Sequence, residues 1–247
     1  MNTKTNKLLI AMAVLSIGSA IMITGCKKDE ETPVEIPVQT ITMPVVNMAG
    51  AAEFAVLAGS AITSTGATNI TGDIGLSPGT SIGGFPPGVL TGGIHINDNL
   101  ATQAKLDLTV AYNDLAGRVS TDIVTLSDNI GGLTLTPGLY KSTSTLAISS
   151  GDLTFDANGN ANAIFIIQIA SSLTVTSARK VILTGQAKAS NIYWQVGSSA
   201  TFGTTSEFKG TIIALQSITL ETGATLEGRI LARNGGVTLA GNVIVKQ

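Results

Sequence analysis

After residue 50 the chain alternates large apolar and small polar residues. In Ser172-Leu-Thr-Val-Thr176, Ser199-Ala-Thr-Phe-Gly203, Ser217-Ile-Thr-Leu-Glu221 and Gly236-Val-Thr-Leu-Ala240 the middle residue is Thr each time. A strand sends alternate side chains to opposite faces. Leu173/Val175, Ala200/Phe202, Ile218/Leu220 and Val237/Leu239 then form a core face. Thr174, Thr201, Thr219 and Thr238 form an outer column, flanked by Thr176, Gly203, Ser217 and Ala240. The column steps by 27, 18 and 19 residues. A near-constant step is the mark of a solenoid whose coils stack. Thr145-Leu-Ala147-Ile-Ser149 adds a further coil to this small-residue face.

Other segments supply the remaining sides. Leu139–Lys141, Ala163–Gln168, Asn191–Val196, Gly210–Leu215 and Gly228–Arg233 look like equivalent strands of successive coils. Some are apolar on both faces, so something must cover them. Lys180–Leu183, Ser206–Lys209, Thr225–Glu227 and Asn242–Val245 read as third sides. Nearer the N-terminus, Glu53–Gly59, Ser60–Thr65 and Ile70–Ile74 make one three-sided turn, with Ala61, Thr63 and Thr65 pointing outward. Gly75 to Ile96 reads as a loop rich in Gly and Pro. Asn97, Asp98 and Asn99 then suit a helix N-cap. Leu100, Ala104, Leu108, Ala111 and Leu115 recur at helical spacing, and Gly117 suits the C-cap. The pattern predicts one helix over about 98–116, packed along one side of the solenoid and leaving two sides open.

Composition sharpens this picture. Charged residues make up 12% of the 247 residues and aromatics 4%, and there are 28 Gly. A typical soluble domain is about 25% charged. The net charge of -2 and the absence of a basic stripe argue against nucleic-acid binding. The first 25 residues read as a targeting segment: Lys4 and Lys7, then an apolar run from Leu8 to Ile23. The segment ends in Ile23-Thr-Gly-Cys26, which resembles a bacterial lipoprotein cleavage box, with Cys26 as the lipidated residue. Cys26 is the only cysteine, so no disulfide is possible within the chain. Lys27-Lys-Asp-Glu-Glu31 is similar to the charged signal that exports lipoproteins to the outer surface in Bacteroidetes-type bacteria. Residues 26–48, with Pro33, Pro37 and Pro44, read as an extended tether, and 49–247 as the folded domain.

A search for reactive groups finds little. His95 is the only histidine, with no nucleophile or acid at telling spacing. Asp73, Asp152, Asp156, Glu207, Glu221 and Glu227 are scattered over sides and corners. Asp152–Asn160 lacks the spacing of a known calcium loop and suits an Asx-capped turn. Tyr193 and Trp194 lie in an apolar strand and read as core. No enzyme activity, metal or cofactor is expected. The outer column is the positive signal. Ordinary exposed sheet faces carry Lys and Glu; here Glu221 is the single charge among the outward positions named. Stacked strands lie about 4.8 Å apart, and alternate residues about 6.7 Å apart. Both spacings are close to oxygen repeats in ice, so a rigid grid of Thr hydroxyls and methyls suits ice-like water.

The chain also resembles a known family, the ice-binding proteins of polar bacteria, sea-ice algae and snow-mould fungi. The matching stretches include Phe54–Thr63, Ile70–Gly79, Ala111–Arg118, Gly131–Tyr140, Asn191–Val196 and Gly228–Arg233. The resemblance implies an all-β, right-handed, three-sided parallel β-helix with a flanking α-helix and a discontinuous coil order. In that order the N-terminal coil packs beside the C-terminal ones. Some members carry Thr-(Ala/Gly)-x-(Thr/Asn) on the ice face. Thr65-Gly-Ala-Thr68 and Thr222-Gly-Ala-Thr225 match it and are expected to lie close together. The expected partner is an ice crystal surface, met by a monomer held at the cell exterior through Cys26 or secreted. A surface adhesin or carbohydrate-binding solenoid without ice activity is the alternative.

Overall fold

A computed structural model of the protein describes residues 36–247. The leader, Cys26 and the charged stretch after it lie outside the described residues. Strands dominate, all paired in parallel, with one long helix, α1, at Asn99–Gly117. Eight coils stack among the described residues, each with three sides. Corners hold the sides together. Strands Glu207–Ala214 and Thr225–Ala232 each run round one corner unbroken, third side into first. They turn at Gly210 (φ 112°) and Gly228 (φ 145°), which are register partners. A Cβ on Gly228 would lie 1.9 Å from the Gly210 carbonyl oxygen, so only glycine lets the coils close to ladder distance there.

The chain order is discontinuous. Phe54–Ala58 pairs with the C-terminal strand Thr225–Ala232, Ala61–Thr65 with Val237–Ala240, and Asn69–Thr71 with Val243–Val245. The N-terminal coil thus continues the C-terminal one. Gly75–Ile96 departs from the expected loop. Asp73–Leu76, Ser81–Gly83 and Val89–Thr91 form a complete further coil, and Ile94–Ile96 begins another. Gly84, Pro86, Pro87 and Gly92, which suggested a loop, sit at its corners, while Gly75 and Gly83 lie within strands. Helix α1 then carries the chain back to the far end, where Val124–Thr125 pairs with Gly138–Ser142. Nine first-side strands at ~4.8 Å spacing span about 38 Å. Nineteen helical residues span about 28 Å, and the segment 118–123 covers the remainder.

The interior is mainly apolar, with buried polar residues such as Ser64, Thr68, Ser206 and Asn242. Trp194 is fully buried, donates from Nε1 to the Lys209 carbonyl at 3.1 Å, and packs edge-to-face with Phe155 and tilted against Phe208. The first-side strands Phe54–Ala58, Phe165–Ile169 and Ile192–Val196 are buried on both faces, whereas Ile94–Ile96 at the end of the stack stays partly exposed. Leu57, Ile166, Tyr193, Ile213 and Leu231 point out from the coils and meet Ala104, Leu108, Ala111, Tyr112 and Leu115 of α1. Polar groups fix the helix in place. Gln168 donates to the Leu115 and Arg118 carbonyls at 2.6 and 2.9 Å, and Gln195 donates to the Tyr112 hydroxyl at 2.9 Å. Lys105 donates to the Ala232 and Arg233 carbonyls at 2.7 and 2.6 Å; burial, and then the nearby Arg233 charge, push it down to about 8. Asp98 caps the helix by accepting from the Ala101 amide. Two details differ from expectation. Leu100 stays 62% exposed at the rim of a groove beside Phe54 and His95, and Ala101 takes the inward place. Gly117 is the last helical residue, and Arg118 is the extended cap.

The stretch before residue 49 is also corrected. From Ile36 onward it is a strap docked on the solenoid, with Met43, Val46 and Met48 buried against the helix and first side. Gln39 Oε1 accepts from the Leu139 amide at 2.8 Å. The prolines keep the strap extended, and buried apolar area holds it down. Asp122 accepts from the Thr40 and Ile41 amides at 2.6 and 2.9 Å. The Ser120 hydroxyl and these amides hold its carboxyl at about 2, below the ordinary 3.8.

Two outcomes test this architecture. Leu108→Ala, at a site with no solvent exposure, should lower unfolding stability in urea by about 2–5 kcal/mol. The Asp122 pKa is depressed on folding, so its stabilisation is present above pH 3.8 and is lost as pH falls toward about 2. Amide exchange at Thr40 and Ile41 should accelerate across that window, and at neutral pH in Asp122→Ala, while first-side amides keep their protection.

Candidate functional site

The second side of the solenoid is an eight-stranded parallel sheet. Its strands are short, two to five residues each, because each coil must turn twice more before the chain returns to this side. Register pairing links Ala147, Thr174, Thr201, Thr219, Thr238 and Thr63 into one straight column. The chain break is invisible on this surface: Thr238 of the last C-terminal coil lies directly beside Thr63 of the N-terminal one. Beneath the column, Leu146, Leu173, Ala200, Ile218, Val237 and Ile62 are buried and pin each strand to the core. Among the described residues, the hydroxyls of Thr63, Thr174, Thr201, Thr219 and Thr238 form no hydrogen bond within the protein. They are free for water. A β-branched side chain on a fixed strand has few rotamers, so the hydroxyl and methyl positions repeat from coil to coil.

Small residues flank the column. Ala61, Thr145 and Ser217 lie two positions before it, and Thr65, Ser149, Thr176, Gly203 and Ala240 two after. Thr176 and Thr65 are partly tied down, donating to the Ile148 and Leu239 carbonyls at 3.2 and 3.4 Å. Ser149 donates to Asn129 Oδ1 at 3.0 Å. Glu221, exposed after Thr219, is the charge in this flank. The third side contrasts with this bare surface, for it carries the ion pairs Lys180–Glu207 and Lys209–Glu227, both at 2.6 Å.

Three expected site residues fall elsewhere. Thr68 has no exposed surface. It lies inside the corner, accepting from the Ser64 hydroxyl at 2.7 Å and the Asn242 amide at 3.3 Å. Thr225 opens a third-side strand, paired with Glu207 and Val243. Thr222 is exposed, but in the turn beyond the strand. The two motif matches are also not equivalent. Thr63 and Thr219 share a column, and Asn69 and Thr225 share a third-side row, each six positions later. Between those anchors Gly223 donates its amide to the Ala240 carbonyl and Gly241 to the Thr65 carbonyl, so Thr65-Gly66 aligns with Thr222-Gly223 (φ 72° and 71° at the glycines), while the extra Ala67 sets Thr68 level with Asn242 and Ala224 instead of Thr225. A full coil separates them, since Val237–Ala240 lies between. A four-residue match at a corner cannot report which residue faces outward, because the corner dihedrals decide that.

The column extends past the expected residues at both ends. Gly83 follows Thr63, and Asn129 precedes Ala147. Ser81-Ile-Gly83 carries the small-large-small alternation of the other coils, hidden among turn residues. The remaining polar groups have local roles. His95 lies in a strand, its Nδ1 2.7 Å from Asp98 and its ring edge-on to Phe54. Asp152 accepts from the Lys180 amide at 3.0 Å, and Asp156 from the Asn158 amide at 2.8 Å, an Asx turn. Among the described residues no three His, Cys, Asp or Glu side chains converge to hold a metal ion.

The same architecture recurs in known proteins. An ice-binding protein from an Antarctic biological consortium, known from a crystal structure, superposes with a TM-score of 0.85 at 69% identity, covering 85% of this chain and 95% of that one. The ice-binding protein of the Antarctic ascomycete Antarctomyces psychrotrophicus superposes at 0.77 with 40% identity, over 82% of this chain and 98% of that one. The ice-binding protein of Nostoc sp. (strain HG1) is 45% identical over 201 residues, covering 81% of this chain and 74% of its own length. Residues 56–245 match the ice-binding-like family as a whole. With coil order, helix and flat Thr column in place, the chain belongs to the ice-binding-like family.

Proposed function

We propose that the protein adsorbs to ice through the second side of its solenoid, and so opposes ice growth and recrystallisation. The carrying observation is the in-register column of Thr63, Thr174, Thr201, Thr219 and Thr238, with free hydroxyls on a flat and nearly uncharged sheet. Each hydroxyl holds one water, and the methyls between them constrain where the next water sits. Single contacts of this kind are weak. A rigid array has little conformational entropy left to lose on binding, so weak contacts add up. The names of the relatives, each called an ice-binding protein, agree with this reading.

We place the activity at the cell exterior, with the mature chain held by lipid on Cys26. Ile23-Thr-Gly-Cys26 and the charged stretch after it support that placement. No helix among the described residues is long and apolar enough to cross a membrane. A glycan-binding surface would call for exposed aromatic platforms, whereas Trp194 and Tyr193 are buried.

Thr219→Tyr, at mid-column, should reduce thermal hysteresis to below about half, because adsorption sums over the whole array. Its melting temperature should stay within about 2 °C of the parent, as the side chain faces solvent. Unchanged hysteresis in this variant and in Thr63→Tyr would sink the face assignment. Glu221→Ser is expected to do the reverse. It removes a strongly hydrated carboxylate from the flank, and hysteresis measured at equal concentration should rise. Ice crystals grown in dilute protein should be faceted, and round discs would point to the adhesin alternative.

A further inference from the structure

The strap and helix carry aliphatic side chains that the ice face does not use. Val38, Val45, Leu106, Val110 and Val119 are 60–86% exposed. Val45 and Val110 line one groove between strap and helix, and Arg118 closes its end by donating to the Pro44 and Val45 carbonyls. The nearby charges are already engaged. Asp114 pairs with Arg118 at 2.7 Å, and Asp107 accepts from the Gly50 amide at 2.9 Å. Val119, Val45, Val38 and Val110 are the most exposed large aliphatic side chains among the described residues.

The position of this patch gives it meaning. The strap follows the corner between third and first sides: Gln39 meets Gly138 and Leu139, and Arg229 donates to the Ala52 carbonyl. In a three-sided prism that corner is the edge opposite the second side. Nine residues separate Cys26 from Ile36. Fully extended, such a stretch reaches at most about 33 Å.

We propose that the valine-rich patch of strap and helix docks on the lipid surface that holds the anchor, with the Thr column turned away from the membrane. This rests on the lipidation of Cys26 stated above. The lipid on Cys26 would hold the chain at the bilayer, and apolar contact by the domain would fix its orientation there. The short tether keeps the patch at high effective concentration near the bilayer. No free basic cluster lines the patch, so docking should work on neutral lipid and depend little on salt.

The test uses the processed, lipidated full chain on phosphatidylcholine vesicles. Lipidation consumes the Cys26 thiol, so an introduced cysteine is the single labelling site. An environment-sensitive fluorophore on Val110→Cys should shift to the blue and be quenched by spin-labelled lipid. The same label on Thr219→Cys should report water. Adding Val45→Asp and Val119→Asp to the Val110→Cys chain should abolish the shift while the protein stays on the vesicles. A water-like Val110→Cys signal on vesicle-bound protein overturns the docking and leaves the anchor intact. Equal shifts at both positions overturn the orientation. A patch buried instead by self-association would show the shift without vesicles, rising with protein concentration, and would also overturn it. Failure of the chain to join vesicles at all, with Cys26 still free to react, refutes the lipidation on which the proposal rests.

Discussion

The pairing of the N-terminal coil with the C-terminal one is the contact on which the molecule depends. Val56 with Ile230, Ile62 with Val237 and Ile70 with Ile244 close the stack on all three sides at once. Without them, the N-terminal coils would be a short stack with an open edge, and Val237–Ala240 would present a second open edge. Parallel coils gain stability chiefly from their neighbours. The seam therefore turns two short stacks into one long one and makes the Thr column continuous across a large gap in the chain.

Everything else follows from making that seam possible. After its first coils the chain must return to the far end of the stack, and α1 does so along the first side. The helix simultaneously covers strands that are apolar on both faces, which is why they can be that apolar. Gln168 binds helix backbone carbonyls, Gln195 the Tyr112 hydroxyl and Lys105 the Ala232 and Arg233 carbonyls, so the cover has one fixed position. The strap takes the remaining strip beside the helix. With the first side closed and the third side laced by ion pairs, the second side is left flat and bare. Its regularity is a product of the packing beneath it.

Such a surface differs from an enzyme site in its logic. No group on it is activated, and no pocket gathers reactive atoms. Its capacity lies in repetition and stiffness, properties that belong to the backbone ladder as much as to the threonines. The same argument explains why Ala147 and Gly83 can occupy the column without breaking it, since the strand spacing is set by hydrogen bonds and not by side chains.

Alternation, helix and column were legible in the residues, because the strand period of two and the helical period of 3.6 are local properties of the backbone. Ser172–Thr176 and Ser217–Glu221 announce their faces without reference to any partner. The cap at Asp98 and the inward stripe from Ala104 to Leu115 are local in the same sense. Other features needed the folded molecule. Whether Thr68 or Thr225 faces water depends on corner dihedrals, and one residue of phase sends a side chain from surface to core. The coil within Gly75–Ile96 was masked because corners and loops share the same glycines and prolines. The docking of residues 36–48 depends on apolar surface supplied by a helix some sixty residues away. The neighbour relation of Thr63 and Thr238 joins positions 175 apart; hydrogen bonds between closed coils decide it, and no local pattern carries that information.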